Sequence, residues 1–190
     1  MTNQATATVA EPKTFTGTET VAETQATANE WAKEIARLHR AGAPRPSAED
    51  RLDIIELTHL FENAYDALDL EAWLDTWDED GVFNSSGFGN VAGRQQLKEY
   101  FENFAKTFTD KRHVLSNHVI IGEGDTAYML SYLTVVERKT GTNILGTSPF
   151  YDQLRKTNGR WRFTRRDQVL DPGMYETEVG KSLLSQYGGE

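Results

Sequence analysis

Apolar residues recur every three or four positions along several segments of the first half of the chain, a spacing typical of amphipathic helices. Ser47, a residue type common at helix N-termini, opens the longest of these segments. A shorter segment follows it and ends at the acidic turn DEDG. We therefore predict helices over residues 28–40, 47–68, 70–77 and 94–108.

The second half of the chain alternates apolar and polar residues, which is the pattern of β-strands. The turn sequences GEGD, KTGTN and TNGR interrupt the alternation. Helices followed by a run of strands predict an α+β domain, in which one curved antiparallel sheet wraps like a cone around three helices and encloses a pocket. The predicted strands cover residues 82–83, 111–122, 125–138, 143–156 and 160–169.

One domain, residues 47–171, accounts for this pattern, because 190 residues are too few for two well-buried cores. Residues 1–46 form an N-terminal extension that carries the short first helix and is otherwise rich in Thr, Ala, Gln and Glu. Residues 172–190 form a C-terminal tail with few apolar anchors. We expect this tail either to cover the pocket as a flap or to pack as a simple chain end.

The formal net charge of -9 disfavours nucleic acid and anionic membrane surfaces as partners, since no Lys/Arg cluster reverses it locally. The absence of cysteine excludes disulfides, thiolate nucleophiles and cysteine-bound metals. No metal-binding motif or phosphate loop occurs, so neither a metal nor a cofactor is predicted. With no apolar run long enough for a membrane span and no secretory signal at residue 1, a soluble cytoplasmic protein is expected.

Two of the four histidines, His113 and His118, fall in one predicted strand. Their odd separation places their side chains on opposite faces of a regular strand, so that only one can face the pocket. Asn117 and several apolar residues share the face of His113, as expected of a cavity lining. A purely structural histidine would fit the same pattern, and the residues alone leave both roles open.

Asp69 stands between the second and third predicted helices, where it is a natural N-cap. Within hydrogen-bond reach of His113 it would also fix the tautomer of the imidazole and stabilise its charged form, which would make the two a proton-transfer pair. Aromatic residues around the predicted pocket favour a flat aromatic substrate, although such residues also form ordinary core. The candidates for substrate binding are Tyr65, Phe83, Phe104, Tyr132 and Phe150, together with Asn117.

Three stretches of the sequence resemble the SnoaL-like branch of the nuclear transport factor 2-like superfold: LFENAYDALDLEAWLDTWDEDGVF, RHVLSNHVI and GRWRFTRRDQVLD. In two relatives by this resemblance, scytalone dehydratase and hexachlorocyclohexane dehydrochlorinase, an Asp at the end of the first core helix pairs with a His on a later strand to abstract a proton. The resemblance implies these roles for Asp69 and His113. The strand YMLSYLTVVE lacks the second pocket histidine of the dehydratase, so Tyr132 or a neighbour would have to serve as the acid, with a tyrosine or Arg165 stabilising negative charge.

We therefore expect a cofactor-independent lyase that acts by His/Asp general-base catalysis on a small aromatic substrate. Water, halide or formaldehyde would be eliminated, for example in the deformylation of a lignin-derived diaryl compound. Because the superfold also hosts other activities, a polyketide or steroid-type cyclase or isomerase and a noncatalytic dioxygenase β-subunit-like protein are alternatives. The resemblance further implies a homo-oligomer, with a trimer favoured over a dimer, in which the N-terminal extension could wrap a neighbouring subunit.

Overall fold

Helices dominate the first half of the chain and long strands the second. A computed structural model describes residues 19–105, 109–139, 141, 143–177 and 181. None of the helices in these ranges is long and apolar enough to cross a membrane. The helices are α1 (Val21–Arg40), α2 (Ala48–Ala67), α3 (Leu70–Asp75), α4 (Gly93–Phe104) and α5 (Pro172–Tyr175), and the strands are β1 (Trp77–Ser85), β2 (Gly89–Ala92), β3 (Lys111–Glu123), β4 (Thr126–Glu137), β5 (Ile144–Thr157) and β6 (Arg160–Gln168).

The six strands form one sheet in the order β2-β1-β6-β5-β4-β3. Helices α2, α3 and α4 pack against one face of this sheet and against one another. The predicted α+β fold class is therefore confirmed. Neighbouring strands are antiparallel except β1 and β6, which run parallel. These two strands are far apart in sequence, so no hairpin turn dictates their relative direction.

Capping residues set where the first three helices begin. Thr20 and Glu23 form a capping box at α1, which therefore starts at Val21 rather than at residue 28 as predicted. Ser47 and Asp69 each accept the backbone N–H of the residue three positions later, at the starts of α2 and α3. Residues 1–18 of the N-terminal extension lie outside the described residues.

Two local predictions are wrong around the first strands. Trp77 begins β1 instead of ending the third helix, because the Thr76 hydroxyl donates a 2.6 Å hydrogen bond to the Trp73 carbonyl and closes α3 there. The segment that follows β1, predicted as a loop, forms β2 and pairs with the end of β1. Gly89, at φ +80°, supplies the left-handed conformation that this reversal requires.

The sheet buries apolar side chains on both faces. The inner face, defined as the one that contacts α2 to α4, carries the main core. The outer face is covered by α1, whose Trp31 and Ile35 pack with Leu130 and Tyr151 in a second cluster. The helix of the N-terminal extension thus packs on the sheet of its own chain.

A bulge in β3 changes which residues face inward. The pairing of β3 with β4 shifts register between Ser116 and Val119, and Asn117 within this bulge has φ +56°. One extra residue reverses the alternation of side chains beyond the bulge. Accordingly Leu115 and Ile120, five positions apart, both belong to the main core.

Because of this bulge, His113 and His118 face the same side of the sheet, and the prediction that they lie on opposite faces is wrong. His118 approaches α2, where its Nε2 atom lies 3.3 Å from the Thr58 hydroxyl. Burial, and then the charge of His59, lower the pKa of His118 to about 4. His118 is therefore neutral at physiological pH.

Candidate active site

A narrow cavity of about 40 Å³ lies between the inner face of the sheet and helices α2, α4 and α5. Its wall is mostly aromatic and aliphatic, with three polar side chains among them. Such a lining is typical of a site for a small apolar ligand. The wall consists of Phe61, Glu62, Tyr65, Phe83, Phe88, Tyr100, His113, Leu133, Val135, Phe150, Gln168, Leu170 and Met174.

His113 is held in this wall by the carboxylate of Asp66. The Nδ1 atom of His113 lies 2.7 Å from Asp66 Oδ1, and the backbone N–H of His113 donates to Asp66 Oδ2 at 3.2 Å. The two side chains are only 7% and 3% exposed, respectively, so solvent screens their interaction weakly. The half-exposed Arg112 adds a cationic group 3.5 Å from Asp66 Oδ2.

Asp66, not Asp69, is the partner of His113, and the predicted pairing with Asp69 is wrong. Helix α2 ends at Ala67, and its C-cap Leu68 adopts the left-handed conformation with φ +59°, so the chain turns away before Asp69. Asp69 is exposed, and its carboxylate accepts the Ala72 N–H at 3.0 Å as the N-cap of α3. Only its predicted capping role is seen.

The contact with Asp66 determines what the imidazole of His113 can do. A carboxylate accepts hydrogen bonds, so Nδ1 carries the proton and Nε2 carries the lone pair in the neutral ring. Tyr65 packs edge-on against His113, with ring centroids 5.4 Å apart, and restricts the rotation of the ring. A histidine held in one tautomer beside an apolar cavity can act as a general base.

Four of the predicted site residues lie together in the cavity wall: His113, Tyr65, Phe83 and Phe150. The hydroxyl of Tyr65 lies 3.3 Å from that of Tyr100. Burial raises the pKa of Tyr65 well above its usual range, so its hydroxyl is a weaker acid than that of a free tyrosine. Whether these residues bind substrate stays a prediction.

The other predicted substrate-binding residues do not line this cavity. Phe104 stacks on Tyr100 with centroids 4.9 Å apart and is ordinary buried core. Tyr132 packs on the outer face of β4, because its neighbours Ser131 and Leu133 take the inner positions. Asn117 is exposed in the bulge of β3.

Arg165 also points away from the cavity and pairs with Asp167 at 2.7 Å. The pairing of β5 with β6 shifts register between Gln153 and Leu154, so Phe163 and Arg166 both face inward although they are three positions apart. The prediction placed the inward arginine one residue too early. Arg166 is the arginine that reaches the interior.

Three charged residues that the sequence reasoning missed form a buried ion cluster: Glu62, Asp152 and Arg166. Arg166 donates to Asp152 through Nε at 2.9 Å and Nη2 at 3.2 Å, and its Nη1 lies 3.4 Å from Glu62 Oε1. The guanidinium carbon also lies 4.1 Å from the ring centroid of Phe150. A glutamate among the core positions of a helix, between Phe61 and Tyr65, was the available sequence signal.

Acidic and histidine side chains in the described part of the chain do not form a group of three or more that could hold a metal ion. The polar side chains that line the cavity include the imidazole of His113 on β3 and the buried carboxyl group of Glu62 on α2.

Solved structures of similar proteins share this fold. A protein of unknown function from Nostoc punctiforme is 39% identical, with 67% of this chain and 96% of that protein covered and a TM-score of 0.63. An NTF2-like protein from Novosphingobium aromaticivorans is 28% identical, with 72% and 89% covered and a TM-score of 0.60. LinA, at 17% identity with 64% and 86% covered and a TM-score of 0.57, is similar in fold alone.

No curated protein matches the sequence. The family model for a SnoaL-like domain matches residues 46–167, which include Asp66, His113, the register shifts of β3 and β6 described above, and the whole ion cluster. This match covers more than half of the chain and agrees with the fold of the similar structures, described there as cystatin-like and NTF2-like. The chain therefore belongs to the SnoaL-like family.

Proposed function

We propose that this protein is a cofactor-independent lyase, in which His113 removes a proton from a small aromatic substrate that then expels water, halide or formaldehyde. One observation carries the proposal: His113 Nδ1 lies 2.7 Å from a buried carboxylate oxygen of Asp66, and the ring forms part of an aromatic cavity wall. This arrangement supports general-base chemistry because the carboxylate stabilises the imidazolium that forms.

The chemistry requires only proton transfer and the expulsion of one group. When a C–H proton moves to Nε2 of His113, its electron pair forms a double bond, and the leaving group departs with the electrons of its own bond. For loss of formaldehyde, the proton comes from the hydroxyl of a hydroxymethyl group, and the O–H electron pair forms the C=O bond of formaldehyde. The electrons of the adjacent C–C bond form a new C=C bond to a conjugated acceptor in the substrate, such as a quinone methide, whose oxygen then takes the proton back from His113. Both reactions give a conjugated product without an oxidant or a reductant.

The cavity favours a flat substrate and must widen to accept one. Tyr65, Phe83 and Phe150 supply ring faces and edges that suit an aromatic ligand. A cavity of about 150 Å³ holds benzene, whereas this one measures about 40 Å³. Met174, which belongs to α5 and has a flexible thioether side chain, is the wall residue best suited to move aside.

Mass spectrometry of substrate panels tests the proposal. Lignin-dimer, hydroxynaphthalene and haloorganic compounds would be incubated with the wild-type protein, with His113→Ala, and with His39→Ala as the control, since His39 is exposed at the end of α1. We expect a product lighter by water, hydrogen halide or formaldehyde, formed by wild type and His39→Ala but not by His113→Ala. A product of unchanged mass would instead indicate an isomerase or cyclase. Undiminished turnover by His113→Ala, or no turnover of any compound, contradicts the proposal.

A further inference from the structure

The buried ion cluster contains a carboxyl group that proton abstraction by His113 does not use. We propose that Glu62 is the general acid of this site and protonates the leaving group while His113 takes the substrate proton. This inference rests on the proposed lyase function and assigns its second proton-transfer group.

The position of Glu62 on α2 fits this role. Glu62 lies four residues before Asp66, so the two residues stand about one helical turn, roughly 6 Å along the helix axis, apart on the same face. Both Glu62 and His113 form part of the cavity wall. A substrate in the cavity would therefore have a base at one end of this helical turn and an acid at the other.

The charges of the cluster favour a protonated Glu62. Two carboxylates share one guanidinium group, and the side chains of Arg166, Asp152 and Glu62 are 0%, 0% and 7% exposed. With both acids ionised, the cluster would hold a net negative charge away from water, which is costly. Burial also raises the pKa of Asp152, to about 6. Asp152 nevertheless has two contacts with Arg166 at 2.9 and 3.2 Å, whereas Glu62 has one at 3.4 Å, so this geometry favours the proton on Glu62.

The electrostatic environment of Glu62 also favours a proton on its carboxyl group. Burial raises the pKa of Glu62, and this effect outweighs the opposing charges of Arg166 and His113. Asp66 and Asp152, the other charged groups that act on Glu62, raise its pKa further. A raised pKa favours the protonated form of the carboxyl group, which is the form that a general acid requires.

Arg166 would stabilise the carboxylate that remains after proton transfer. Its guanidinium carbon lies 4.3, 4.1 and 4.5 Å from the ring centroids of Phe61, Phe150 and Phe163, which fix the group in position. A fixed cation beside a forming anion stabilises it without rearrangement. Glu62 therefore has a proton to give and a partner for the charge that it acquires.

Other candidate acids are less suitable. Tyr132, expected from the sequence to replace the missing acid, lies on the outer face of the sheet. Tyr65 lies in the cavity wall, but burial makes its hydroxyl a weaker acid than a free tyrosine. Among the polar groups described in the wall, Glu62 combines cavity contact with a transferable proton.

In the proposed dehydration, the substrate C–H bond breaks and its proton moves to Nε2 of His113. The electron pair forms the new double bond, the C–O bond breaks, and the departing oxygen takes the proton of Glu62 to leave as water. The enzyme is restored when His113 loses a proton to solvent and Glu62 regains one. A chloride leaving group needs no proton, so its expulsion does not require Glu62.

Infrared difference spectroscopy tests the protonation of Glu62 without a substrate. We expect the wild-type protein at neutral pH to show the carbonyl band of a buried protonated carboxyl group. The band should be absent in Glu62→Gln and retained in Glu56→Gln, a control on the exposed side of α2. If the wild-type protein shows no such band, or if the band persists in Glu62→Gln, the inference is overturned.

A matched pair of leaving groups tests the catalytic role. The probes are a phenolic aryl ketone with a β-hydroxyl group and its β-chloro analogue, which yield the same vinyl ketone. For Glu62→Gln, we expect kcat to fall by about 10²- to 10⁴-fold with the hydroxyl probe and to change little with the chloride. Equal losses on both probes overturn the role of Glu62 and leave the lyase function intact. Elimination by His113→Ala at the wild-type rate with both probes defeats the lyase proposal itself.

Discussion

Replacing Asp66 by Asn should reverse the tautomer of His113, whereas the same change at Asp69 should not. Asp66 Oδ2 accepts the backbone N–H of His113, which can only donate, so an asparagine must keep its oxygen at that position. Its amide NH₂ then takes the place of Oδ1 and faces Nδ1. The Nδ1 atom of His113 must then accept a hydrogen bond from the amide, so the proton of the imidazole moves to Nε2.

The magnitude follows from the geometry of the contact. A hydrogen bond to a charged group contributes about 1.5–3 kcal/mol, and at 2.7 Å with both side chains buried this one belongs in that range. Its loss alone raises the barrier to proton abstraction by that amount, which lowers kcat by about 10- to 150-fold. The wrong tautomer adds to this, since an equivalent Asp→Asn change in a Ser-His-Asp triad lowers kcat about 10⁴-fold. We expect a fall in kcat of about 10²- to 10⁴-fold for Asp66→Asn.

Heteronuclear NMR of protein with isotopically labelled histidine measures the tautomer directly. The wild type and Asp69→Asn should both show the proton on Nδ1 of His113, and Asp66→Asn should show it on Nε2. Asp69→Asn should also keep its stability, because Asn caps a helix as well as Asp does. An unchanged tautomer in Asp66→Asn, or a changed one in Asp69→Asn, would refute the assignment of the partner.

Three further predictions concern stability, each measured by urea denaturation. Trp31→Ala should cost about 3–5 kcal/mol, because the indole is 2% exposed in the outer cluster; a loss below about 1 kcal/mol would mean that α1 does not stay docked. Asn117→Val should cost about 1–2 kcal/mol and Asn117→Gly almost nothing, since φ is +56°; equal costs would argue against the bulge. His118, with its pKa lowered from 6.5 to about 4, binds its proton more readily when unfolded, so stability is lost as pH falls through this range. For this half-buried group the loss is about 1–2 kcal/mol after solvent screening, and His118→Gln should remove it; an unchanged slope would contradict this.

The fold could be predicted because its main signals are local. Helical and alternating periodicities locate α2 and the strands β3 to β6 to within a few residues, and the order of the elements alone indicates an α+β domain. The parallel pairing of β1 with β6 could not be foreseen, since it joins strands whose register no turn sets. The strand β2 was missed because four residues with alternating burial are too short to form a pattern.

The site was harder to predict because single-residue shifts decide it. His113 was identified, but its partner was placed at Asp69, where the capping signal is strong, instead of at Asp66 within the helix. A rule of strict alternation separated His113 from His118, and Arg165 rather than Arg166 was named as the arginine that stabilises negative charge. The error over Asp69 arises at the end of α2. The other two arise at register shifts in β3 and β6, where one extra residue reverses which face of the sheet the following side chains occupy.

The bulges and the end of α2 act together to concentrate polar groups on one side of the sheet. A regular β6 strand would turn Arg166 outward whenever Phe163 faces the core, and the contact of Arg166 with Glu62 would be lost. A buried glutamate without that partner would be strongly destabilising. Thr164, the residue of β6 without a partner in β5 at the register shift, is therefore as necessary to the site as the charged residues themselves. It contributes no side chain to the cavity wall.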